Sequence, residues 1–298
     1  MKIPPYLQKG DTVAIVATAR KTTEDELQEA VSLLESWGIT VIIGNSIGLE
    51  NNQLAGSDEE RAADFEAMTK NPDVKAIWCA RGGYGTVRMV DLVDFSALKK
   101  NPKWVIGYSD VTVLHSHINN MNAATIHSVM ATGVTTATDD TKETLRKALF
   151  GETLQYTLPP HTFNKYGKAN GQLTGGNLSV LYSIIGSRSE MDCEDKILFI
   201  EDLDEYLYHI DRMMMNLKRN HYFEKIKGLI IGGMNDMNDN KTPWGHTALE
   251  IIKDITNEYN IPICFNFPAG HTPTNCALVL GKQITLTVNE NGTQVTFN

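Results

Sequence analysis

WVIGYSDVTVLHSH, residues 104–117, passes from an uninterrupted apolar run through a polar turn into a segment with helical spacing. The apolar run is too short for a helix and apolar on both faces, the pattern of a strand covered on both sides in a parallel sheet. A serine, Ser109, stands where strand gives way to helix. At such a point a hydroxyl is a turn residue, a helix N-cap or a nucleophile presented to substrate, and this stretch alone leaves the three open. The hydrolase elbow G-x-S-x-G is not matched, because Val111 fills its last position.

The same alternation extends outward. TVAIVA (12–17), TVIIGN (40–45) and AIWCA (76–80) are further short apolar runs, separated by amphipathic stretches in which Thr23 with Glu26 and Ser57 with Glu60 have capping-box spacing. Strands and helices in that order imply a parallel sheet with helices on both faces, and ligands of such sheets bind beyond the carboxyl ends of the strands. RGGYG (81–85), directly after AIWCA, and Ser109, directly after WVIGY, both fall there.

From about residue 151 to 170 the pattern dissolves into ETLQYTLPPHTFNKYGKAN, read as a crossing between two domains. The expected division is therefore 1–150, a linker at 151–170, and 171–298. In the second part KILFIED (196–202) and GLIIGG (228–233) read as strands, TALEIIKDITNEYN (247–260) as a helix, and ITLTVNENGTQVTF (284–297) as a hairpin turning at Asn291-Gly292.

Composition narrows the function. The net charge of −9 and scattered basic residues argue against nucleic acid as a partner. No apolar stretch is long enough for a membrane span, and MKIPPYLQKGD lacks a signal-peptide core, so the expected location is the cytoplasm. Cys79, Cys193, Cys264 and Cys276 show no C-x-x-C spacing and read as buried reduced thiols rather than metal ligands.

RGGYG does not complete a phosphate motif: G-x-x-x-x-G-K-[ST] is absent, and Arg88 stands where G-x-G-x-x-G needs glycine. It is either a plain turn or a loop whose backbone N–H groups face a developing oxyanion. A serine nucleophile needs a base, and His271, in the Pro- and Gly-rich NFPAGHTPTN beyond the apolar IPICF, suits that role. Glu201, at the exit of KILFIED, can orient it, or can be a solvated or capping carboxylate.

RGGYGTVRMVDLVDF, IGYSDVTVL, GQLTGGNLSVL, LFIEDLDEYLYHIDRMMMNL and FPAGHTPTNCALVLG, in that order over residues 81–281, closely resemble the blocks of the LD-carboxypeptidases, which include murein tetrapeptide carboxypeptidases and microcin-immunity peptidases. The resemblance implies a flavodoxin-like N-terminal domain, a smaller mixed α/β C-terminal domain and a homodimer. It further implies a triad of Ser109, Glu201 and His271 with no metal or organic cofactor. The implied oxyanion hole is formed by the N–H groups of Gly83 and Asp110.

The implied substrate is a cytoplasmic muropeptide whose terminal D-alanine is removed in cell-wall recycling. Within the family the alternative substrate is an aminoacyl-nucleotide, for which Trp244 is the aromatic candidate in the second half. A non-catalytic peptide binder of the same fold is the other reading. Arg81, with Gly82 and Tyr84, is a candidate for substrate binding, Arg81 meeting the terminal carboxylate or being merely structural. Asp110, Asp202, Asp204 and Glu205 are either acceptors for a substrate ammonium or a solvated acidic face. Where the family reads His-Gly-Pro-Met this chain has His127, Ser128, Val129 and Met130, a departure that bears on substrate preference rather than reaction class.

Overall fold

The computed structural model describes all residues, 1–298. Its strands are β1 (Thr12–Val16), β2 (Thr40–Ile43), β3 (Val74–Cys79), β4 (Trp104–Gly107), β5 (Thr125–His127), β6 (Gln155–Leu158), β7 (Gly167–Asn177), β8 (Ile197–Leu203), β9 (Gly228–Asn235), β10 (Ile263–Cys264), β11 (Leu278–Leu280), β12 (Gln283–Asn289) and β13 (Gly292–Phe297). The first sheet has the order β11-β5-β4-β3-β1-β2. β1 to β5 are mutually parallel and, read from the other edge, give the 2-1-3-4-5 order of a flavodoxin-like sheet. The expected apolar runs are these strands, with β4 buried at every position.

The second sheet, β10-β9-β8-β7-β12-β13-β6, is mixed: β7 to β10 run parallel, and β12, β13 and β6 pair antiparallel. With seven strands against six it is the wider sheet. The hairpin at Asn291-Gly292 forms between β12 and β13, whose last pair is Asn289 with Gly292.

The stretch 151–170 is not a bare crossing. It holds β6, with alternating exposed and buried residues, and the first residues of β7. β11 also returns to the first sheet, antiparallel to β5, before β12 resumes the second. A single cluster of 43 buried apolar residues accordingly runs from Val13 and Trp78 under the first sheet to Phe199 and Val295 under the second. The two sheets therefore share a core.

Local signals work as the residue types require. Ser57 and Glu60 form a reciprocal capping box on the helix Asp58–Lys70. The Thr23 N–H donates to Glu26 Oε2 at 2.9 Å, and the Glu26 N–H to Thr23 Oγ1 at 3.4 Å, at the head of a short 3₁₀ turn, Asp25–Leu27.

Candidate active site

β4 ends at Gly107, where a Cβ would lie 2.9 Å from Val111 Cγ2, so only glycine lets the following turn fold back this closely. Tyr108 occupies the cap position of the 3₁₀ turn Ser109–Val111, which leads into the helix Thr112–Asn120. Ser109 is therefore not a capping serine, and no side-chain cap bond is made there. Instead its backbone is left-handed, with φ of 58°. That conformation costs a non-glycine residue about 1 to 2 kcal/mol and is kept where it serves a site. Here it lifts the hydroxyl out of the buried strand to a half-buried position.

The neighbouring strand end, after β3, carries RGGYG against this turn. A Cβ on Gly82 would lie 3.6 Å from Ser109 Cβ and 2.5 Å from Met130 Cε, and Gly83 is left-handed with φ of 101°. The Asp110 carboxylate is buried and accepts the Thr86 N–H at 2.8 Å, so it ties the start of the helix after RGGYG to the turn that carries Ser109. Burial pushes the Asp110 carboxyl upward, partly offset by its hydrogen bonds with Thr86. As the second residue of its turn, Asp110 has a backbone N–H among those that a helix start leaves without an intrahelical acceptor.

Glu201 and His271 meet across the ends of the second sheet. Glu201 is fully buried on β8; its Oε2 accepts the His271 backbone N–H at 3.0 Å and lies 2.7 Å from His271 Nδ1. With Nδ1–H donating to the carboxylate, Nε2 is the free nitrogen of the neutral ring. Burial, the largest influence on His271, lowers its pKa, but the hydrogen bond and charge of Glu201, helped by Asp202, outweigh it, and the net shift is upward. Gly270 makes the approach feasible: with φ of 99°, a Cβ there would lie 2.5 Å from Glu201 Oε2.

Asn177 locks this pair to the other sheet. β7 pairs with β8 so that Asn177 stands opposite Glu201. Its Nδ2 donates to Glu201 Oε1 at 3.2 Å and to Asp202 Oδ1 at 3.0 Å, while its backbone N–H donates to Thr112 Oγ1 at 3.0 Å, in the helix behind Ser109. Gly176 allows that docking, since a Cβ there would lie 2.5 Å from Thr112 Oγ1.

The two halves enclose a cavity of about 190 Å³ lined by Ser109, His271, Gly82, Gly83, Arg81 and Arg20, among others. Tyr108 closes one side, its ring centroid 4.7 Å from that of His271, its hydroxyl pushed up to about 12 by burial and by the Glu201 charge. A serine hydroxyl, a histidine backed by a buried carboxylate, and N–H groups at a glycine loop are the parts that acyl transfer requires.

Several expected residues lie elsewhere. Tyr84 is 49% exposed and is not part of this lining. Asp202 is buried and held by Asn177, Leu203 and Ser179, while Asp204 accepts from Asn238 and Glu205 pairs with His209. Asp110 and Asp202 are thus closed to a substrate ammonium. His127 is fully buried, and of the divergent quartet it is Met130 that lines the cavity. Trp244 borders a different cavity, of about 750 Å³, over the helix Leu207–Arg219. Arg20 and Asn177 were not singled out by the sequence reading. Arg20 is a lone arginine in a turn, and Asn177 lies in LTGGNLSVLYSIIG, which reads as a loop feeding a helix, whereas its first residues, through Asn177, end β7 and the helix begins at Leu178.

Two family models match the chain: LD-carboxypeptidase N-terminal domain over residues 13–128 and LD-carboxypeptidase C-terminal domain over residues 170–286. A probable murein peptide carboxypeptidase of Bacillus subtilis is 36% identical, covering 96% of this chain and 92% of that protein. The murein tetrapeptide carboxypeptidase of Pseudomonas aeruginosa is 27% identical, covering 93% of each. The crystal structure of a muramoyltetrapeptide carboxypeptidase from Oxalobacter formigenes superposes with a TM-score of 0.86 at 25% identity, covering 96% of this chain and 98% of that one. The microcin C7 self-immunity protein MccF of Escherichia coli is 25% identical, covering 97% of this chain and 94% of that protein. Matched over both halves and at this level of identity, the chain belongs to the LD-carboxypeptidase family.

Proposed function

We propose that this protein is a serine LD-carboxypeptidase that removes the terminal D-alanine from muropeptide tetrapeptides in the cytoplasm, as a homodimer, during cell-wall recycling. His271 Nε2 takes the Ser109 proton as Oγ attacks the scissile carbonyl. The N–H groups of Gly83 and Asp110 stabilise the tetrahedral oxyanion, and Glu201 stabilises the imidazolium. His271 then returns the proton to the departing amine of D-alanine, and water, activated by the same ring, releases the shortened peptide and restores Ser109.

The observation that carries this reading is the cavity shared by Ser109 and His271, with Glu201 Oε2 2.7 Å from His271 Nδ1. An aminoacyl-nucleotide substrate fits the likeness to MccF, but stacking on a base needs an accessible aromatic. The lining of this cavity offers only Tyr108, and Trp244 belongs to the other cavity.

The test is incubation with a muropeptide tetrapeptide and, in parallel, with aspartyl sulfamoyl adenosine, followed by mass spectrometry. Loss of one alanine from the tetrapeptide supports the proposal; hydrolysis of the nucleotide conjugate alone favours the alternative, and turnover of neither leaves the non-catalytic binder. Size-exclusion chromatography with light scattering tests the dimer, and a monomer at micromolar concentration would refute that part.

A further inference from the structure

Of the charged groups lining the cavity, Arg20 is the one whose guanidinium makes no ion pair or hydrogen bond within the fold. It lies beyond the end of β1, is exposed, and joins the body of the protein through an isolated backbone bridge with Leu54. Arg81 differs, since its guanidinium donates to Glu26 Oε1 at 2.9 Å, and Glu26 is itself held by the Thr23 N–H at 2.9 Å. Arg81 is thus compensated and fixed. No carboxylate lines the cavity; the carboxylate that Arg20 influences, Asp110, is buried and already accepts the Thr86 N–H, so the Arg20 donors stay free for a ligand.

Its position relative to the reacting atoms follows from two adjacent glycines. A Cβ on Gly82 would lie 3.6 Å from Ser109 Cβ, and one on Gly83 would lie 2.4 Å from Arg20 Nε and 2.9 Å from Cζ. The guanidinium therefore packs on the loop one residue away from the serine. In a peptide the terminal carboxylate lies about one residue, ~3.5 Å of chain, beyond the scissile carbonyl. A planar fork of donors at that remove matches a carboxylate in two-point geometry.

We propose that Arg20 binds the terminal carboxylate of the substrate and so makes the enzyme an exopeptidase that rejects amidated or extended peptides. This rests on the serine carboxypeptidase reading above. An amidated end brings only a weak acceptor and its own donors to the guanidinium, and an extended chain carries its carboxylate out of reach. The contact exists equally in ground and transition states, so its loss appears mainly in KM.

The experiment compares the wild type with Arg20→Ala, Arg20→Lys and Arg81→Ala on a muropeptide tetrapeptide ending in D-alanine and on the same peptide ending in D-alaninamide. Charge-assisted hydrogen bonds of this type predict that Arg20→Ala loses about 10- to 150-fold in kcat/KM on the acid, mostly through KM. On the amide its loss should be less than about 3-fold, and Arg20→Lys should recover part of the preference for the acid. An Arg20→Ala variant that keeps the preference, or loses equally on both peptides, overturns the inference, as does abolition of the preference by Arg81→Ala alone. A wild type that cleaves both peptides equally overturns it while leaving the carboxypeptidase reading standing. A wild type that releases no D-alanine from the acid overturns that reading first, and this inference with it.

Discussion

Glu201→Gln removes one charge and exchanges an acceptor for a donor with almost no change of shape. Glu201 Oε2 serves the His271 N–H at 3.0 Å and Nδ1 at 2.7 Å, and Oε1 serves Asn177 Nδ2 at 3.2 Å, so all three partners are donors. An amide has one acceptor end. With its oxygen toward His271 its NH₂ meets the Asn177 NH₂; flipped, it meets the two N–H groups of His271. Either arrangement opposes donors at a fully buried position, which costs about 1 to 3 kcal/mol of stability. The imidazolium also loses its counter-charge, so kcat/KM should fall about 100- to 10,000-fold.

The pH dependence sharpens the same prediction. Burial lowers the pKa of His271 and Glu201, helped by Asp202, more than reverses this, so in the glutamine variant the lowering is opposed only by the weaker influence of Asp202. Activity needs the neutral ring. The wild-type kcat/KM therefore rises with pH through a raised pKa, and the acid limb of the variant moves to lower pH. Stability has the opposite sign: a raised folded pKa stabilises below the unfolded histidine value of about 6.5, and that stabilisation is lost as pH rises through the folded value. The stability gap between wild type and variant should thus be wider at about pH 5 than at about pH 9. Kinetics and urea unfolding across that range check both. A variant that keeps more than a tenth of the activity with its acid limb unmoved would refute the role assigned to Glu201.

Ser109→Gly should be more stable than Ser109→Ala by about 1 kcal/mol, because glycine accepts the φ of 58° without strain; equal melting temperatures would count against a strained turn. Gly270→Ala should destabilise by about 2 to 5 kcal/mol and abolish turnover, since its Cβ must displace the Glu201 carboxylate 2.5 Å away; an active, stable variant would show that the pairing of Glu201 with His271 is dispensable. All four cysteines are buried, with burial pushing Cys79 up to about 12 and Cys193, Cys264 and Cys276 to about 11. A thiol reagent at neutral pH should therefore find four reactive groups only after denaturation, and rapid labelling of the native protein would contradict this burial.

What was legible in the sequence was local. Apolar runs announced β1 to β4, Ser57 and Glu60 announced a helix start, and Asn291-Gly292 announced a hairpin, each through chemistry confined to a few neighbouring residues. Ser109, Glu201 and His271 stood out because strand ends in a parallel sheet are where ligands bind. What was hidden depends on residues distant in the chain. The four residues of β6 alternate too briefly, before two prolines, to signal a strand, and β11 looks like any apolar run until it pairs with β5. Asn177 acquires its role only from the register that sets it opposite Glu201, and Arg20 only from lying against Gly83. Asp110 read as an available acid because nothing local reveals that it is buried against the Thr86 N–H.

The most direct test of the account is the release of D-alanine from a muropeptide tetrapeptide by the wild type and by Ser109→Ala at equal concentrations of folded protein. The account predicts one D-alanine per peptide from the wild type and a rate at least about 1,000-fold lower from the variant, since without the nucleophile only the oxyanion donors and binding remain. A folded Ser109→Ala protein that releases D-alanine within about tenfold of the wild-type rate would contradict it.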